Sequence, residues 1–264
     1  MPLVWPPLNI GHRGASGEAP ENTLAAFELA LRQGADGVEF DVQLSSDGVP
    51  MVIHDALLDR TTSARGRVCE CRASALRRLD AGSWFNRHFP SRARQRYAGA
   101  RIPLLSEVLA WLRAHKCLAF LEIKNATAGT EDRVLEEIEK ARVQSLVTVI
   151  SFDRASLRRA RQLDPGVALG LDTSRPASGG RAIRQAKSLG AVALLPFWPI
   201  ASRRFIRQAH QNSLRVVAWT VDQPRWMRRR ILDGVDGLIT NYPARLEEVR
   251  SSVFSGLSPP RSLC

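Results

Sequence analysis

The residues of this chain that could do chemistry sit inside runs that otherwise look like buried strands. In Val38-Glu39-Phe40-Asp41-Val42 apolar side chains alternate with two carboxylates, so on an extended backbone the two acids share one face. Leu121-Glu122-Ile123-Lys124 repeats the pattern and puts Glu122 and Lys124 together. His12 and Arg13 end an apolar run, and His54 ends Met51-Val52-Ile53-His54. Burying three carboxylates together is costly without compensation, and Arg13 and Lys124 neutralise only part of Glu39, Asp41 and Glu122. A bound divalent cation would remove the excess. An all-carboxylate donor set favours a hard ion, Mg²⁺ or Ca²⁺, over Zn²⁺.

The remaining groups narrow the reaction. Two histidines, His12 and His54, titrate near neutrality when unperturbed and suit a proton acceptor and a proton donor. Arg13 offers a planar fork and Lys124 a point charge, both fitted to phosphate. Acid–base catalysis contributes only about 10²–10⁴-fold. Phosphoester cleavage needs more, so cationic stabilisation of the transition state must carry the larger share. Hydrolysis of a phosphodiester fits every part.

These side chains need elements that bring them together. From residue 117 onward short apolar runs alternate with helix-like stretches. The runs are Leu118–Ile123, Leu146–Ile150, Val167–Leu171, Val192–Leu195, Val216–Trp219 and Val235–Ile239. That rhythm indicates βα units around a parallel sheet. Earlier, Leu8–Gly11 reads as a strand, and Thr23 can cap a helix ending at Gly34. Val38–Leu44 and Pro50–Ile53 add two more strands. Nine runs exceed the eight of a TIM barrel by one. Ser45-Ser46-Asp47-Gly48 signals a hairpin, so only one of its two arms is expected in the barrel wall. The chemical residues then fall at C-terminal strand ends, where α/β barrels build their sites. Residues 56 to 101, rich in arginine and interrupted by Gly66, Gly82, Pro90 and Gly99, read as an insertion at the barrel mouth after the His54 strand. The expected organisation is one catalytic barrel domain over 1–264, with a core at 8–249 and a tail at 250–264.

Composition removes other classes. The chain has 264 residues, 44% of them hydrophobic, with no apolar run near the roughly 18 residues of a membrane span, and its composition is not that of a disordered chain. Its net charge of +12 comes from 38 basic and 26 acidic residues. Only four of the basic residues are lysines. The arginines are dispersed over many helices, as on solvated faces, so no specific nucleic-acid partner is expected; weak attraction to an anionic membrane is compatible. Cys69, Cys71, Cys117 and Cys264 are too few and too irregular for a disulfide framework or a zinc knuckle. The opening MPLVWPPLN lacks a basic leader segment, and a reducing cytoplasm is the expected compartment.

Taken in order, Ile10-Gly11-His12-Arg13-Gly14-Ala15, Pro20-Glu21-Asn22-Thr23, Glu39-Phe40-Asp41-Val42, His54-Asp55, Arg60-Thr61-Thr62 and Leu121-Glu122-Ile123-Lys124 resemble the glycerophosphodiester phosphodiesterase family. The similarity continues through Ala218-Trp219-Thr220-Val221 and Gly234–Thr240 to Asn241-Tyr242-Pro243. The resemblance implies a TIM barrel of the phospholipase C-like phosphodiesterase type. It also implies metal-dependent hydrolysis of glycerophosphodiesters to sn-glycerol 3-phosphate and an alcohol. On that basis His12 and His54 are the acid–base pair, Glu39, Asp41 and Glu122 hold one Mg²⁺ or Ca²⁺, and Arg13 and Lys124 contact phosphate. Two positions depart from the family's pattern: Asp222 follows Thr220-Val221 where asparagine is common, and Asn241 follows Thr240 where aspartate is common.

Other positions carry less. Glu21 and Asn22 either orient the site or simply precede a capped helix, and Trp219 either lines the leaving-group side or belongs to the core. Phe152, Phe197 and Trp198 read as packing more than as specificity residues, and His88, His115 and His210 as surface or structural. Two further functions are compatible: cleavage of lysophospholipids to lysophosphatidic acid, and non-catalytic binding of a polyanion.

Overall fold

A computed structural model describes residues 6–124, 126–174 and 179–255. Eight parallel strands close on themselves: β1 (Leu8–His12), β2 (Gly37–Leu44), β4 (Leu118–Ile123), β5 (Val147–Ser151), β6 (Ala168–Thr173), β7 (Ala193–Pro196), β8 (Arg215–Ala218) and β9 (Gly237–Thr240). β1 pairs in parallel with both β2 and β9, which seals the TIM barrel. The ninth strand, β3 (Pro50–Val52), runs antiparallel to the end of β2. The hairpin expected from the sequence therefore forms, and only β2 enters the barrel.

Helices follow the strands: α1 (Leu24–Arg32), α2 (Ala73–Leu76), α3 (Ser83–His88), α4 (Leu105–His115), α5 (Thr130–Ala141), α6 (Arg154–Leu163), α7 (Gly179–Ser188), α8 (Arg203–His210), α9 (Pro224–Asp233) and α10 (Pro243–Phe254). Thr23 caps α1, its side chain accepting from the Ala26 amide. Gly234 ends α9 with φ 96°, a left-handed conformation that costs glycine least. The apolar rhythm did not show α4. It lies just past the irregular stretch and buries Leu105, Val108, Leu109 and Leu112 against the outside of the barrel.

Strand parity divides the interior. One set of strand residues, such as Val38, Phe40, Val42, Leu121 and Ile123, faces the helices in the main core. The other set faces inward, where Ile10, Phe120, Ile150, Leu195, Val217 and Ile239 fill the barrel. Residues 56–101 pack on a core of their own, including Met51, Leu58, Val68, Leu76 and Ile102. Among the described residues no helix is long and apolar enough to cross a membrane.

Candidate active site

Register assembles the centre. Along β1 and β2 His12 lies opposite Glu39, and along β2 and β4 Asp41 lies opposite Glu122. Glu39 and Asp41 are two residues apart on one strand, so all three carboxylates share the inward face. They are 3%, 1% and 7% exposed, and one oxygen from each falls within 4.8 Å of the others. Among the described residues this is the one group of three or more such side chains close enough to share an ion. Cys69 is exposed and Cys71 is partly so; neither joins a metal-ligating group there.

The electrostatics show what the triad lacks. Burial, together with Asp41 and Glu122, pushes the Glu39 carboxyl well above the usual carboxylate range. Burial and the Asp41 charge push Glu122 up to about 7. Lys124 Nζ lies 2.8 Å from Glu122 and 3.6 Å from Asp41, and Arg13 Nε lies 3.4 Å from Asp41, yet these two cations do not offset the repulsion. The donor set fits a divalent ion that prefers oxygen.

Each histidine has a partner that fixes its tautomer. Asp222 accepts from the Asn241 amide, at 2.9 Å, and from Asn241 Nδ2, at 2.7 Å. That leaves Asn241 Oδ1 as the acceptor facing His12 Nδ1, at 2.7 Å, so the proton sits on Nδ1. Ser16 Oγ donates to the same Oδ1 at 2.6 Å. His54 Nδ1 donates to Asp55 Oδ1 at 2.6 Å. Arg60 holds the Asp55 carboxyl down at about 2, so it can only accept. Among the described residues neither Nε2 makes a hydrogen bond; both rings line the pocket, with His12 Nε2 3.9 Å from Glu39 Oε2. Burial and the Arg13 charge lower His12 to about 4. His54 is lowered too, by burial first, with Arg13 and Lys124 adding to it against Asp41 and Asp55.

Arg60 ties the two sides of the site together. Its guanidinium makes paired bonds of 2.7 Å to both Glu21 oxygens and reaches Asp55 Oδ2 at 2.6 Å. Glu21 in turn accepts from Arg13 Nη1 at 2.8 Å. Asn22 donates to Asp41 Oδ2 at 2.8 Å and accepts from the Asp41 amide. Glu21 and Asn22 thus brace the charged residues, while the neighbouring Thr23 does the capping.

These groups line a pocket of about 240 Å³: His12, Arg13, Glu39, His54, Glu122 and Lys124, faced by Ile150, Phe152, Asp172, Trp219 and Ile239. Trp219 is on the wall, with Nε1 donating to the Leu195 carbonyl at 2.7 Å. Phe152 is not packing, as the sequence suggested. It is 43% exposed, stands edge-on to Trp219 at 5.6 Å and lies over Lys124 Nζ at 5.6 Å. Trp198 does pack, stacked on Trp226 at 4.7 Å. His210 is structural, bonded to Asp236 at 2.7 Å.

A model of the glycerophosphoryl diester phosphodiesterase family matches residues 12–245. The chain belongs to that family. A relative from Caldanaerobacter subterraneus named glycerophosphodiester phosphodiesterase is 35% identical over 244 residues, covering 90% of this chain and 96% of that protein. Among solved structures, a phosphodiesterase from Oleispira antarctica in complex with the product sn-glycerol-3-phosphate superposes with a TM-score of 0.84. It is 30% identical, with 92% of this chain and 96% of that one covered. A glycerophosphodiester phosphodiesterase from Agrobacterium tumefaciens gives a TM-score of 0.78 at 27% identity, covering 90% and 98%.

Five residues that bear on the site were given no role in it from the sequence. Asp55 and Arg60 stood in family-like motifs without an assigned role. Asn241 and Asp222 registered only as departures from the family's pattern, and they lie behind His12. Asp172 stands just past the apolar run Val167–Leu171 and was not picked out.

Proposed function

We propose that this enzyme hydrolyses glycerophosphodiesters to sn-glycerol 3-phosphate and an alcohol, with Mg²⁺ or Ca²⁺ held by Glu39, Asp41 and Glu122. The observation that carries this is convergence: two histidines, two phosphate-fitted cations, Glu39 and Glu122 line one pocket, with Asp41 crowded against the two glutamates. The named relative and the product-bound Oleispira structure support the substrate class. Residues 8–249 act as one catalytic unit, with the insertion contributing Arg60 to the clamp behind Glu21 and Asp55.

A divalent ion on the triad supplies Lewis-acid charge against the phosphate oxygens. Arg13 and Lys124 orient the phosphate and share its developing negative charge. Of the two histidines, one Nε2 takes the proton of the attacking hydroxyl, and the other delivers a proton to the alcohol oxygen as its P–O bond breaks. A neutral imidazole with a fixed Nδ1–H is the form the base requires, whereas the acid must carry a second proton, on Nε2, before it can donate. The basic surface supplies at most a weak attraction to anionic membranes.

The direct test is a panel of glycerophosphocholine, related diesters and lysophosphatidylcholine, each with Mg²⁺, Ca²⁺ or EDTA. Metal-dependent release of glycerol 3-phosphate is the expected result. Release of lysophosphatidic acid alone would move the assignment to lysophospholipids, and no metal-dependent turnover of any diester would overturn it.

A further inference from the structure

Across the pocket from the charged residues, the wall formed by β5, β6, β8 and β9 is apolar except for one side chain. Asp172 stands there among Ile150, Phe152, Trp219 and Ile239. It is only 6% exposed, and its Oδ2 has no hydrogen-bond partner among the described residues. Buried polar atoms are nearly always satisfied, and leaving one bare is destabilising. An unpartnered carboxyl oxygen on the wall of a binding pocket points to a partner that arrives with the ligand.

Parity and packing fix the direction from which that partner comes. Gly170 lies opposite Ile150 and Asp172 lies opposite Leu195, so both belong to the inward-facing set. Beneath Asp172, a Cβ at Gly170 would meet Leu195 Cδ1 at 2.5 Å and Ile150 Cγ2 at 3.0 Å. The barrel floor beneath the carboxyl is thus closed, and among the described residues the carboxyl opens to the pocket. A leucine or valine would complete this apolar wall at no such cost, so the acid is a departure from what packing asks for.

We propose that Asp172 binds a free hydroxyl of the substrate's glycerol moiety and so determines specificity for it. This rests on the glycerophosphodiesterase reading of the site. Depth separates the two halves of such a substrate. The glycerol half is common to all of them and suits the buried position of Asp172, whereas the variable alcohol suits the mouth, where Phe152 is exposed. A carboxyl accepts a hydrogen bond from an alcohol directly, while the phosphate stays with Arg13, Lys124 and the triad.

The experiment is calorimetric titration of the full chain, in Mg²⁺ or Ca²⁺, with sn-glycerol 3-phosphate and with methyl phosphate. The two ligands share the phosphate and differ in the hydroxyls. The wild-type protein is expected to prefer glycerol 3-phosphate. Asp172→Leu is expected to weaken glycerol 3-phosphate by about threefold to tenfold, the range for a lost hydrogen bond, and to leave methyl phosphate within about twofold. Asp172→Asn keeps the shape and one acceptor oxygen, so its loss falls between; if the leucine variant does not fold, this one decides. Equal losses for both ligands, no loss for either, or a wild-type protein without preference would each overturn the assignment. Wild-type turnover of glycerophosphocholine is measured alongside. A protein that turns over the diester but lacks this binding pattern refutes the role of Asp172 alone, whereas no turnover of any diester refutes the broader reading.

Discussion

On the side of the pocket built by β1, β2 and β4, most charges meet an opposite charge within a few ångströms. On the side built by β5, β6, β8 and β9, the one acid in the pocket wall forms no ion pair among the described residues. Arg13 reaches Glu21 and Asp41, Lys124 reaches Glu122 and Asp41, and Arg60 reaches Glu21 and Asp55. Such a network is preorganised: its groups already point where a phosphate and a cation need them, and little reorganisation accompanies the reaction. The opposite wall holds Ile150, Trp219, Ile239 and Phe152 around Asp172. The contrast separates two tasks, since the charged wall suits bond making and breaking and the apolar wall suits choosing what is attached to the phosphate. Changes on the first should strike kcat, and changes on the second should strike KM.

The harshest way to break that division is to remove a histidine. His54→Ala or His12→Ala should lower kcat by about 10³-fold, within the usual range for acid–base groups, while the melting temperature stays within a few degrees of wild type. Stopped turnover with an intact melt supports the charged wall as the chemical one; an active His54→Ala protein would remove His54 from the reaction.

A smaller effect tests how His12 is held. Asn241→Asp sets a carboxylate against Asp222, where Nδ2 now donates at 2.7 Å, and Asp222→Asn removes the acceptor that orients the Asn241 amide. Either change alone should cut kcat by about 10- to 100-fold, as loss of an orienting partner commonly does. The double exchange, Asp222→Asn with Asn241→Asp, restores a matched pair and should recover most of the loss. Steady-state kinetics on all four proteins read this directly, and a double variant as poor as the worse single one would show that the pair does not act as a unit.

The charged wall also predicts a pH dependence for metal binding. Because Glu122 is raised to about 7 and Glu39 is raised well above its usual value, these groups hold protons at mildly acid pH. A cation must displace those protons, so affinity falls as pH falls. Proton competition at Glu122 alone makes Mg²⁺ or Ca²⁺ binding about tenfold weaker at pH 6 than at pH 8. Titration calorimetry at the two values checks it. Affinity that does not change over that range would mean the carboxylates are not the ligands.

How much of this could be read from residues follows the same division. The charged wall was legible because ionisable groups interrupt apolar strands at Glu39, Asp41 and Glu122, where burial makes them anomalous. The extra strand was legible through the turn at Ser45–Gly48. Asp172 was hidden for a geometric reason. The apolar run Val167–Leu171 ends just before it, whereas β6 continues through Thr173, so the acid looked like the first residue of a loop. Its signal was parity alone, two residues past Gly170 on the inward face. Asn241 and Asp222 were visible as departures, but they lie 19 residues apart, and the folded barrel brings them together. Phe152 was misjudged because an aromatic residue just past a strand gives no hint of which way it faces.

The mildest test falls on that residue. Phe152 lies at the mouth of the apolar wall, and its ring sits over Lys124 Nζ at 5.6 Å, a side-chain contact from that wall to a cation of the other. A cation–π contact at a partly exposed site is worth about 0.5–1 kcal/mol, which corresponds to about a two- to fivefold change. Phe152→Ala should therefore raise KM for glycerophosphocholine by about that factor and leave kcat within about twofold, because Lys124 keeps its ion pairs to Glu122 and Asp41. If kcat instead fell with KM unchanged, the ring would be acting through Lys124 on the transition state. Phe152 would then belong to the charged wall, and the boundary between chemistry and selection would run along β6 rather than β5.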